Sequence, residues 1–581
     1  MGNPLLLLTT GTRRRTLRRR EVDIPTELPN TDAIFLLLRR MRGPLVLIIG
    51  VFAVAVFGLS LIPGQDAAGN PYTYTVFDAF YFMAYTATTI GFGELPYTLT
   101  IPQRLWVTLC IFASVTAWAY AIAAIFNIFS DHSFRRAVAL QRFRGKVARL
   151  REPFLLVIGY GQAGRTLATA LDRAGRRIVV LDEDESRIDV LVSDQLIWDV
   201  PNYSGDPRDP SLLGLAGLAH PKCEAVLALT DKDELNLSVL MATHLLRPDL
   251  PVIVRNTDPK NRAWMADFEP EAIINPFENY GNYLTLGLDR PETFRLVSWL
   301  LQEPGTEIPD AHHHLSAGRW IVVSDSVFGD EVARDLRGVG LHVDVVTPDD
   351  GDPDVTGAVG LVAGSESDTI NMSMAAHARL QNPDIYISVR QKSTKMGAIV
   401  RAFAPDSVFV ATDLVAFESL ARLEAPMFWG FIEHVRGQDD EWAATTLTSM
   451  TQRVGTRTPT AGRIVLDTHD SPAVVRWLNR GRTLMIGELL RHPEDRDAPI
   501  GVFVTVLRRA GETVYLPEVD EPLRVGDELG VVTRSLGRDL LRQSLNYDSV
   551  VEYLATGVHV PDTWLWRALS PTRTATRKET P

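Results

Sequence analysis

The sequence has few cysteines, no excess of positive charge and none of several common enzyme signatures. Its 581 residues include two cysteines, Cys110 and Cys223, too few for a disulfide framework and in keeping with a reducing compartment. The net charge of −12 gives no support for nucleic-acid binding. HExxH, CxxC and GxSxG motifs are absent, and no other catalytic set is evident, so we expect no enzymatic activity.

Charged residues are also missing from two long apolar segments, residues 44–63 and 105–130. Each is long enough to cross a ~30 Å hydrocarbon core as a helix, so both are predicted membrane spans. Nine arginines precede the first span and seven basic residues follow the second within residue 151, whereas Arg104 is the one basic residue between them. The positive-inside rule then predicts a multi-pass protein of the cell membrane with both termini in the cytoplasm, its N-terminal arginines facing anionic membrane lipid.

The segment between the spans contains a short apolar helix pattern, residues 75–88, followed by T-T-I-G-F-G. The helix is too short to span, which predicts a re-entrant helix lining a water-filled cavity. Glycines at 91 and 93 allow the backbone to turn its carbonyls toward an axis, where they can replace the hydration shell of an ion.

These residues resemble the pore of potassium channels. The resemblance implies a selectivity filter with K⁺ as the permeant ion and a pore helix around Asp78. Tyr85 in that helix and Glu94 after the filter depart from the residues usual in the family, and together with Asp78 they are predicted to support the filter. The filter residues are Thr88, Thr89, Ile90, Gly91, Phe92 and Gly93. Two interpretations of Glu94 stay open, a contact with the Tyr85 hydroxyl behind the filter or solvation at the outer mouth.

Gating residues are predicted in the second span. Ala113 falls where many potassium channels have a hinge glycine, so bending would occur through Ala113 and Ser114 with less backbone freedom. Phe126 and Phe129, near the cytoplasmic end, are candidate gate residues, with packing against lipid as the alternative.

After a basic linker, a strand runs into G-x-G-x-x-G at Gly159, Gly161 and Gly164, and the next strand ends in Asp182. This order predicts a dinucleotide-binding Rossmann lobe, in which glycines admit phosphates and the acid binds ribose hydroxyls; the alternative is glycines kept for packing alone. The expected ligand is NAD(H), ADP or ATP. An acid at position 182 disfavours a 2′-phosphate, which favours NAD(H) or ADP over NADP(H).

A second lobe repeats the first. Residues 228–238 align with 363–373, and 248–255 align with 383–390, at one constant offset. Ser324 and Ser326 replace the first two glycines and Pro348 replaces the acid, so the second lobe should not hold a dinucleotide in the same way.

Two such lobes behind a two-span pore resemble two-transmembrane potassium channels with tandem RCK (TrkA-N-like) regulatory domains. The fold class implied is an α-helical pore, two tandem α/β Rossmann-like lobes and a small β-rich C-terminal subdomain. The predicted domains are a basic, flexible N-terminus (1–30), the pore (31–131), a linker (132–153), the first lobe (154–300), the degenerate second lobe (319–430), the helical and β-rich subdomain (431–545) and a C-terminal tail (546–581).

The implied function is a ligand-gated, potassium-selective channel that assembles as a homotetramer with a ring of eight lobes. The alternatives are a calcium-gated or weakly selective cation channel and a regulatory protein of potassium uptake. Ca²⁺ could bind an acidic loop, although solvation of that loop is the commoner explanation. The loop acids are Asp349, Asp350, Asp352 and Asp354. The run His312 to His314 is expected to be solvated.

Overall fold

The computed structural model describes residues 24–25, 33–130, 132–302, 304–308, 317–392 and 394–559. The chain divides into two compact units. The first contains the chain up to Leu156 with Val179–Ile188 and Asp199–Cys223, and the second contains Val157–Ile178, Asp189–Trp198 and the chain from Glu224. The predicted basic N-terminus and the run His312 to His314 lie outside the described residues, apart from Ile24 and Pro25.

The first unit begins with the helices of the predicted pore. Its first elements are α1 (Ala33–Leu61), β1 (Gly64–Gln65), β2 (Pro71–Tyr72), α2 (Val76–Ala87), α3 (Ile101–Ser130) and α4 (His132–Ala148). Two segments are long and apolar enough to cross a membrane, Met41–Leu61 in α1 and Ile101–Phe126 in α3. Helix α2, with 12 residues, is too short to cross a bilayer, as the sequence predicted.

Helices α1 and α3 pack closely because Gly58 of α1 has no side chain and leaves space for the Trp106 ring of α3. The Trp106 ring fills the space that a Cβ at Gly58 would need, and its Nε1 donates to the Ala55 carbonyl oxygen at 3.2 Å. Gln103 Nε2 donates to the Ile62 carbonyl oxygen at 3.1 Å, at the C-terminal end of α1 and the N-terminal end of α3. The two predicted spans therefore form a closely packed pair, and α2 packs against both of them.

Helix α4 occupies most of the predicted linker. It buries Ala137, Leu140, Phe143 and Val147, whose helical spacing puts them on one face. The Phe143 ring stacks on Tyr203 with ring centroids 5.6 Å apart. The linker is thus a packed helix and not an extended tether.

The first lobe is a parallel sheet with helices between its strands, ordered β5-β4-β3-β6-β7-β8. This order is that of a classic doubly wound nucleotide-binding fold. Its elements are β3 (Phe154–Ile158), α5 (Gln162–Arg173), β4 (Arg177–Asp182), α6 (Glu185–Ser193), β5 (Asn202–Ser204), α7 (Pro210–Leu213), a π-helix (Gly214–Leu218), β6 (Cys223–Ala228), α8 (Asp233–Leu246), β7 (Val252–Arg255), α9 (Pro259–Ala266) and β8 (Ala272–Ile274). Helices α10 (Pro276–Asp289) and α11 (Pro291–Leu301) follow it.

The second lobe is a five-stranded parallel sheet of order β10-β9-β11-β12-β13. Its elements are β9 (Arg319–Val323), α12 (Val327–Gly338), β10 (His342–Val346), a 3₁₀ helix (Pro348–Asp350), β11 (Ala358–Ala363), α13 (Asp368–Gln381), β12 (Tyr386–Arg390), a 3₁₀ helix (Thr394–Met396), α14 (Gly397–Phe403) and β13 (Ser407–Phe409). Helices α15 (Ala411–Glu424) and α16 (Pro426–Gly437) follow it.

The two lobes exchange helices. Helix α10, which follows the first sheet, packs on α12 of the second lobe, and α15, which follows the second sheet, packs on α5 of the first. Asn279 Nδ2 of α10 donates to Glu418 Oε2 of α15 at 2.6 Å. Each lobe is therefore covered by a helix that follows the sheet of the other lobe.

The chain ends in the predicted helical and β-rich subdomain, built on an antiparallel sheet of order β14-β17-β15-β16. Its elements are α17 (Asp440–Val454), β14 (Thr460–Val465), α18 (Pro472–Asn479), α19 (Ile486–Leu489), β15 (Val502–Arg509), β16 (Glu512–Tyr515), β17 (Glu528–Thr533), α20 (Ser535–Asn546) and α21 (Asp548–Thr556). The three predicted parts of the fold, pore helices, Rossmann-like lobes and β-rich subdomain, are confirmed.

One predicted boundary differs from the structure. The sequence analysis assigned residues 546–581 to a tail, but residues 548–556 form α21, which buries Val551 and Leu554 in the subdomain core. Arg476 Nη2 and Asp548 Oδ1, 2.7 Å apart, tie α21 to α18. The subdomain therefore extends at least to the end of α21.

Candidate functional site

Helix α2 has a firmly fixed start. The Thr75 hydroxyl accepts a 3.1 Å hydrogen bond from the Asp78 backbone N–H, and the Asp78 carboxylate accepts from the Thr75 N–H and hydroxyl at 3.3 and 2.7 Å. This reciprocal capping box satisfies backbone donors that the helix itself leaves free. Asp78, predicted to support the filter, lies at the opposite end of α2 from it and caps the helix, so its role in the filter stays a prediction.

The predicted filter follows α2, and every second residue of its backbone, from Thr89 to Gly93, has a positive φ. Thr89, Gly91 and Gly93 have φ values of 63°, 68° and 73°. The Ile90 and Gly91 N–H groups both donate to the Tyr85 carbonyl oxygen, at 2.9 and 3.2 Å, which fixes this segment to the end of α2. A positive φ costs glycine little but strains a β-branched residue, so the conformation of Thr89 is held by its surroundings, as is common at functional sites.

Two tyrosines of α2 hold the residue after the filter. The Tyr85 hydroxyl donates to the Glu94 backbone carbonyl at 3.1 Å, and the Tyr81 hydroxyl donates to Glu94 Oε2 at 3.0 Å. The structure therefore has a contact between the Tyr85 hydroxyl and Glu94, made through the backbone carbonyl, while Glu94 itself is exposed in the single chain, so both interpretations of its side chain stay open. The sequence analysis missed Tyr81, although it lies one turn before Tyr85 on the same helix face.

Helix α3 runs without a break through the predicted hinge. The Ser114 hydroxyl donates to the Cys110 carbonyl at 2.7 Å, so it is engaged with its own helix. Ala113 lies in an apolar groove with Gly50 and Val54 of α1. Phe126 is exposed in the single chain, and the side chain of Phe129 lies outside the described residues. The hinge and gate assignments stay predictions.

In the first lobe the glycine loop has the geometry that its motif predicts. Gly159 has a φ of 98°, and a Cβ there would lie 2.8 Å from Thr230 Cγ2. Gly161 begins α5. A Cβ on Gly164 would collide with the Gly159 carbonyl oxygen. The loop therefore brings bare backbone to the N-terminus of α5, where N–H groups and the helix dipole favour a phosphate.

Asp194 holds two residues of the same loop region. It accepts hydrogen bonds from the Tyr160 hydroxyl at 2.9 Å and from Arg165 Nε at 2.8 Å. Burial, with the bond to Asp194, raises the pKa of Tyr160 above its usual range. The loop is thus fixed by side chains on both sides of its second glycine.

Asp182 ends strand β4, as predicted, and is almost fully buried. Its Oδ1 accepts from the Asp184 N–H at 2.8 Å, and Arg187 Nη1 lies 3.6 Å from its Oδ2. The carboxylate is therefore held in one orientation.

The repeat is visible in an identical hydrogen-bond network. Asn236 Nδ2 donates to the carbonyls of Thr230 and Arg255 at 2.9 and 3.0 Å. At the offset found in the sequence, Asn371 Nδ2 donates to the carbonyls of Ser365 and Arg390 at 3.0 and 2.9 Å. Arg255 and Arg390 hence occupy equivalent places at the end of the equivalent strands β7 and β12.

In the second lobe, Arg390 occupies the loop that corresponds to the glycine loop of the first lobe. Arg390 Nη1 contacts Ser326 Oγ at 3.2 Å and Glu366 Oε1 at 2.8 Å. Ser324 Oγ lies 3.2 Å from Ser326 Oγ, and Lys392 pairs with the other Glu366 oxygen. Two hydroxyls and an ion pair therefore occupy the place where the first lobe has bare glycines.

Arg255 of the first lobe differs from Arg390 in its Nη contacts. The Nε atoms of both arginines are buried without a hydrogen-bond partner in the described part of the chain, but Arg390 Nη1 contacts Ser326 and Glu366, and no side-chain hydrogen bond or ion pair of Arg255 is seen among the described residues. Burial lowers the pKa of Arg255, while Asp231 and Asp233 oppose that effect. A buried cationic donor without an acceptor is costly, and an anion bound beside Arg255 would remove that cost. The sequence analysis did not identify this residue.

The acidic loop does not form a metal site. Asp350 caps the 3₁₀ helix by accepting from the Thr347 hydroxyl at 2.7 Å, Asp352 pairs with His377, and Asp354 accepts from the Thr356 N–H at 3.0 Å. Within the described residues, no group of three or more His, Cys, Asp or Glu side chains is placed to hold a metal ion. The Ca²⁺ hypothesis, which included Asp349, is therefore not supported.

Comparisons with known proteins agree with both halves of this description. Residues 45–131 match the ion channel family, and residues 155–276 match the TrkA-N domain. The chain therefore combines an ion channel domain with a TrkA-N domain, which confirms the resemblance drawn from the filter and the glycine loop.

Two relatives are potassium channels by name. Potassium channel protein 1 of Methanocaldococcus jannaschii is 27% identical over 187 residues, covering 32% of this chain and 53% of the relative. The voltage-gated potassium channel Kch of Escherichia coli is 26% identical over 212 residues, covering 36% of this chain and 48% of the relative. The matches thus span about half the length of these curated relatives. Among solved structures, the GsuK channel bound to NAD is 13% identical, with 88% of this chain and 99% of that chain covered and a TM-score of 0.41.

Proposed function

We propose that this protein is a potassium-selective channel whose opening is controlled by an adenine nucleotide bound to the first lobe. The observation that carries the proposal is the alternating backbone of Thr89, Gly91 and Gly93 at the end of a short helix between two candidate spans. Alternating left-handed residues allow successive carbonyls to face one axis, and a ring of such carbonyls can replace the hydration shell of K⁺.

One chain has one such segment, so a pore requires several chains. We propose a homotetramer whose four chains supply a ring of eight lobes. Exposed apolar residues support this assembly, because they recur at equivalent positions in the two lobes. Leu245 of α8 corresponds to Leu380 of α13, and Trp264 of α9 corresponds to Ile399 of α14. A face repeated in this way suits a closed ring, since every lobe can offer the same surface to a neighbour.

The proposed nucleotide site uses the phosphate-binding geometry of the first lobe. The bare loop from Gly159 to Gly164 and the α5 N-terminus would hold phosphate, and Arg255 would give it a charge-assisted hydrogen bond. Asp182 stays the predicted acceptor for ribose hydroxyls. In the second lobe, Ser326, Arg390 and Glu366 satisfy one another, which supports a division into a sensing lobe and an assembly lobe.

The exchanged helices provide a route from nucleotide to pore. A nucleotide at the α5 N-terminus acts on a helix that packs against α15 of the other lobe. Helix α4 packs on β5 and the π-helix and follows α3 directly, so a shift within the lobe would pull on the end of the second candidate span. A ligand moves this equilibrium only by its difference in affinity between the closed and open states.

Potassium flux into liposomes tests this function. Purified protein is reconstituted with and without ADP or NAD, alongside Gly91→Ala. Space is open around Gly91, but its φ of 68° strains any other residue, so Gly91→Ala should distort the filter and stop flux while the oligomer survives. Nucleotide-sensitive flux lost in Gly91→Ala would support the proposal. Flux that is unchanged in Gly91→Ala would contradict it.

A further inference from the structure

Helix α4 has an exposed basic face at the cytoplasmic end of the second candidate span. From His132 to Arg151 the chain has seven Arg and Lys residues and no Asp or Glu. The apolar face of α4, from Ala137 to Val147, is buried, whereas Arg135, Arg136, Arg142 and Arg144 are exposed.

Part of the positive charge of α4 has no acidic partner among the described residues. Lys146 pairs with Asp199 at 2.9 Å. Across the described residues, Arg136, Arg142 and Arg144 have no carboxylate within ion-pair distance. Since the whole chain carries −12, this concentration of cations is a local feature, and it points to an anionic partner.

The position of α4 identifies the kind of anion. The apolar span ends at Phe126 and α3 ends at Ser130. At ~1.5 Å per residue, Arg135 and Arg136 lie within roughly 15 Å of the end of the apolar span, and an arginine side chain can extend back toward the headgroups. Helix α4 also contacts α1, whose exposed Arg42 begins the first span.

We propose that Arg135 and Arg136, together with Arg42, bind the phosphate of anionic phospholipid in the inner leaflet. The inference rests on the proposed topology, in which α4 is cytoplasmic. Because α4 joins the span to the first lobe, a lipid held there links membrane composition to the same helix that would carry the gating movement. Arginine suits this role because its planar guanidinium can bind a phosphate through two hydrogen bonds.

Lipid binding is measured on the full chain in detergent by native mass spectrometry, with dioleoylphosphatidylglycerol as the probe and dioleoylphosphatidylcholine as the neutral reference. The test variant is Arg135→Gln with Arg136→Gln. Its matched control is Arg142→Gln with Arg144→Gln, which removes the same charge from the same helix about 11 Å further from the span. That distance exceeds a Debye length at physiological ionic strength.

The wild-type protein should bind phosphatidylglycerol in preference to phosphatidylcholine. The test variant should lose roughly 30-fold in affinity, as expected for two arginines near a membrane surface, and the control should lose less than threefold. Equal binding of the two lipids by the wild type, or equal losses in the two variants, would overturn the proposal. The readout needs no ion flux, so it stands apart from the test of channel activity. Unchanged helical content by circular dichroism shows that both variants are folded.

Discussion

The Tyr81 hydroxyl donates a 3.0 Å hydrogen bond to the Glu94 carboxylate, and this bond joins the middle of α2 to the residue that follows the predicted filter. Tyr85, one turn later, holds the backbone carbonyl of the same glutamate. Glu94 is therefore held at both its side chain and its main chain, directly after the predicted filter.

Replacement of Tyr81 should loosen the filter. Tyr81→Phe keeps the ring but removes a hydrogen bond to a charged acceptor, which is worth about 1.5–3 kcal/mol. We expect conducting channels to inactivate at least ~10-fold faster in recordings from planar bilayers. Tyr120→Phe, an exposed tyrosine on α3, is the matched control and should behave as the wild type. Equal inactivation rates in Tyr81→Phe and the wild type would show that the Glu94 contact has no part in filter stability.

Arg255 should carry much of the affinity for nucleotide phosphate. We expect Arg255→Gln to weaken ADP binding ~10- to 100-fold in calorimetric titration of the full chain, because a charge-assisted hydrogen bond is lost. The repeat supplies the control, Arg390→Gln, in which the equivalent arginine of the filled lobe is removed. If Arg390→Gln weakens ADP binding as much as Arg255→Gln does, the two lobes do not divide their roles as proposed.

The contact between α10 and α12 should depend on pH through Asp335. Its carboxylate lies against Gly281 of α10, and Oδ2 is buried with no hydrogen-bond partner in the described residues. Burial, and then the neighbouring Glu331, raise the pKa of Asp335 to about 6, while Arg334 opposes them. A carboxyl whose pKa is raised on folding stabilises the fold when protonated, and that stability is lost as the pH rises through about 6.

Asp335→Asn should therefore raise the melting temperature at pH 7.5, where the wild-type carboxylate is charged. The gain should be smaller at pH 5 and should disappear below the usual carboxyl pKa of 3.8, where the side chain is protonated in both the folded and the unfolded protein. Asp330→Asn, an exposed residue of α12, is the control and should change the melting temperature little at either pH. A gain from Asp335→Asn that is the same at both pH values would indicate that its ionisation does not affect the lobe contact.

Ring assembly should require the repeated apolar face. Trp264 is 58% exposed and Leu380 is 80% exposed, so neither contributes much to the core of its own lobe. A charge buried at a subunit contact is costly, so Trp264→Glu or Leu380→Glu should shift the protein from tetramer toward smaller species in size-exclusion chromatography with light scattering. Val514→Glu, at an exposed site in the β-rich subdomain, is the control. Tetramers that persist in both Trp264→Glu and Leu380→Glu would place the assembly contact elsewhere.

Local sequence patterns were enough to predict the pore helices and the glycine loop, because each is defined by the spacing of a few neighbouring residues. Gly159, Gly161 and Gly164 are one example, since the same short loop that carries the motif also carries its geometry. The repeat was predicted from two pairs of similar segments at one constant offset. The offset that aligned Asn236 with Asn371 predicted the repeat, and the two asparagines make the same hydrogen bonds in the structure.

Features that depend on distant partners were missed. The importance of Arg255 depends on burial and on a comparison with Arg390, neither of which is visible in a linear pattern. Helix α21 was assigned to a tail because its nine residues give a short signal, and its stability depends on packing against α18. The left-handed conformation of Thr89 could not be predicted from its residue type, since threonine rarely adopts a positive φ.

The central claim is that the segment from Thr89 to Gly93 conducts K⁺ in preference to Na⁺. It is tested most directly by the reversal potential of reconstituted channels with KCl on one side of a planar bilayer and NaCl on the other. With equal salt concentrations on the two sides, we expect a wild-type reversal potential displaced from zero in the direction that opposes K⁺ flow from the KCl side, by about 59 mV for each tenfold preference for K⁺ over Na⁺. A reversal potential near zero would contradict it and identify a weakly selective cation channel.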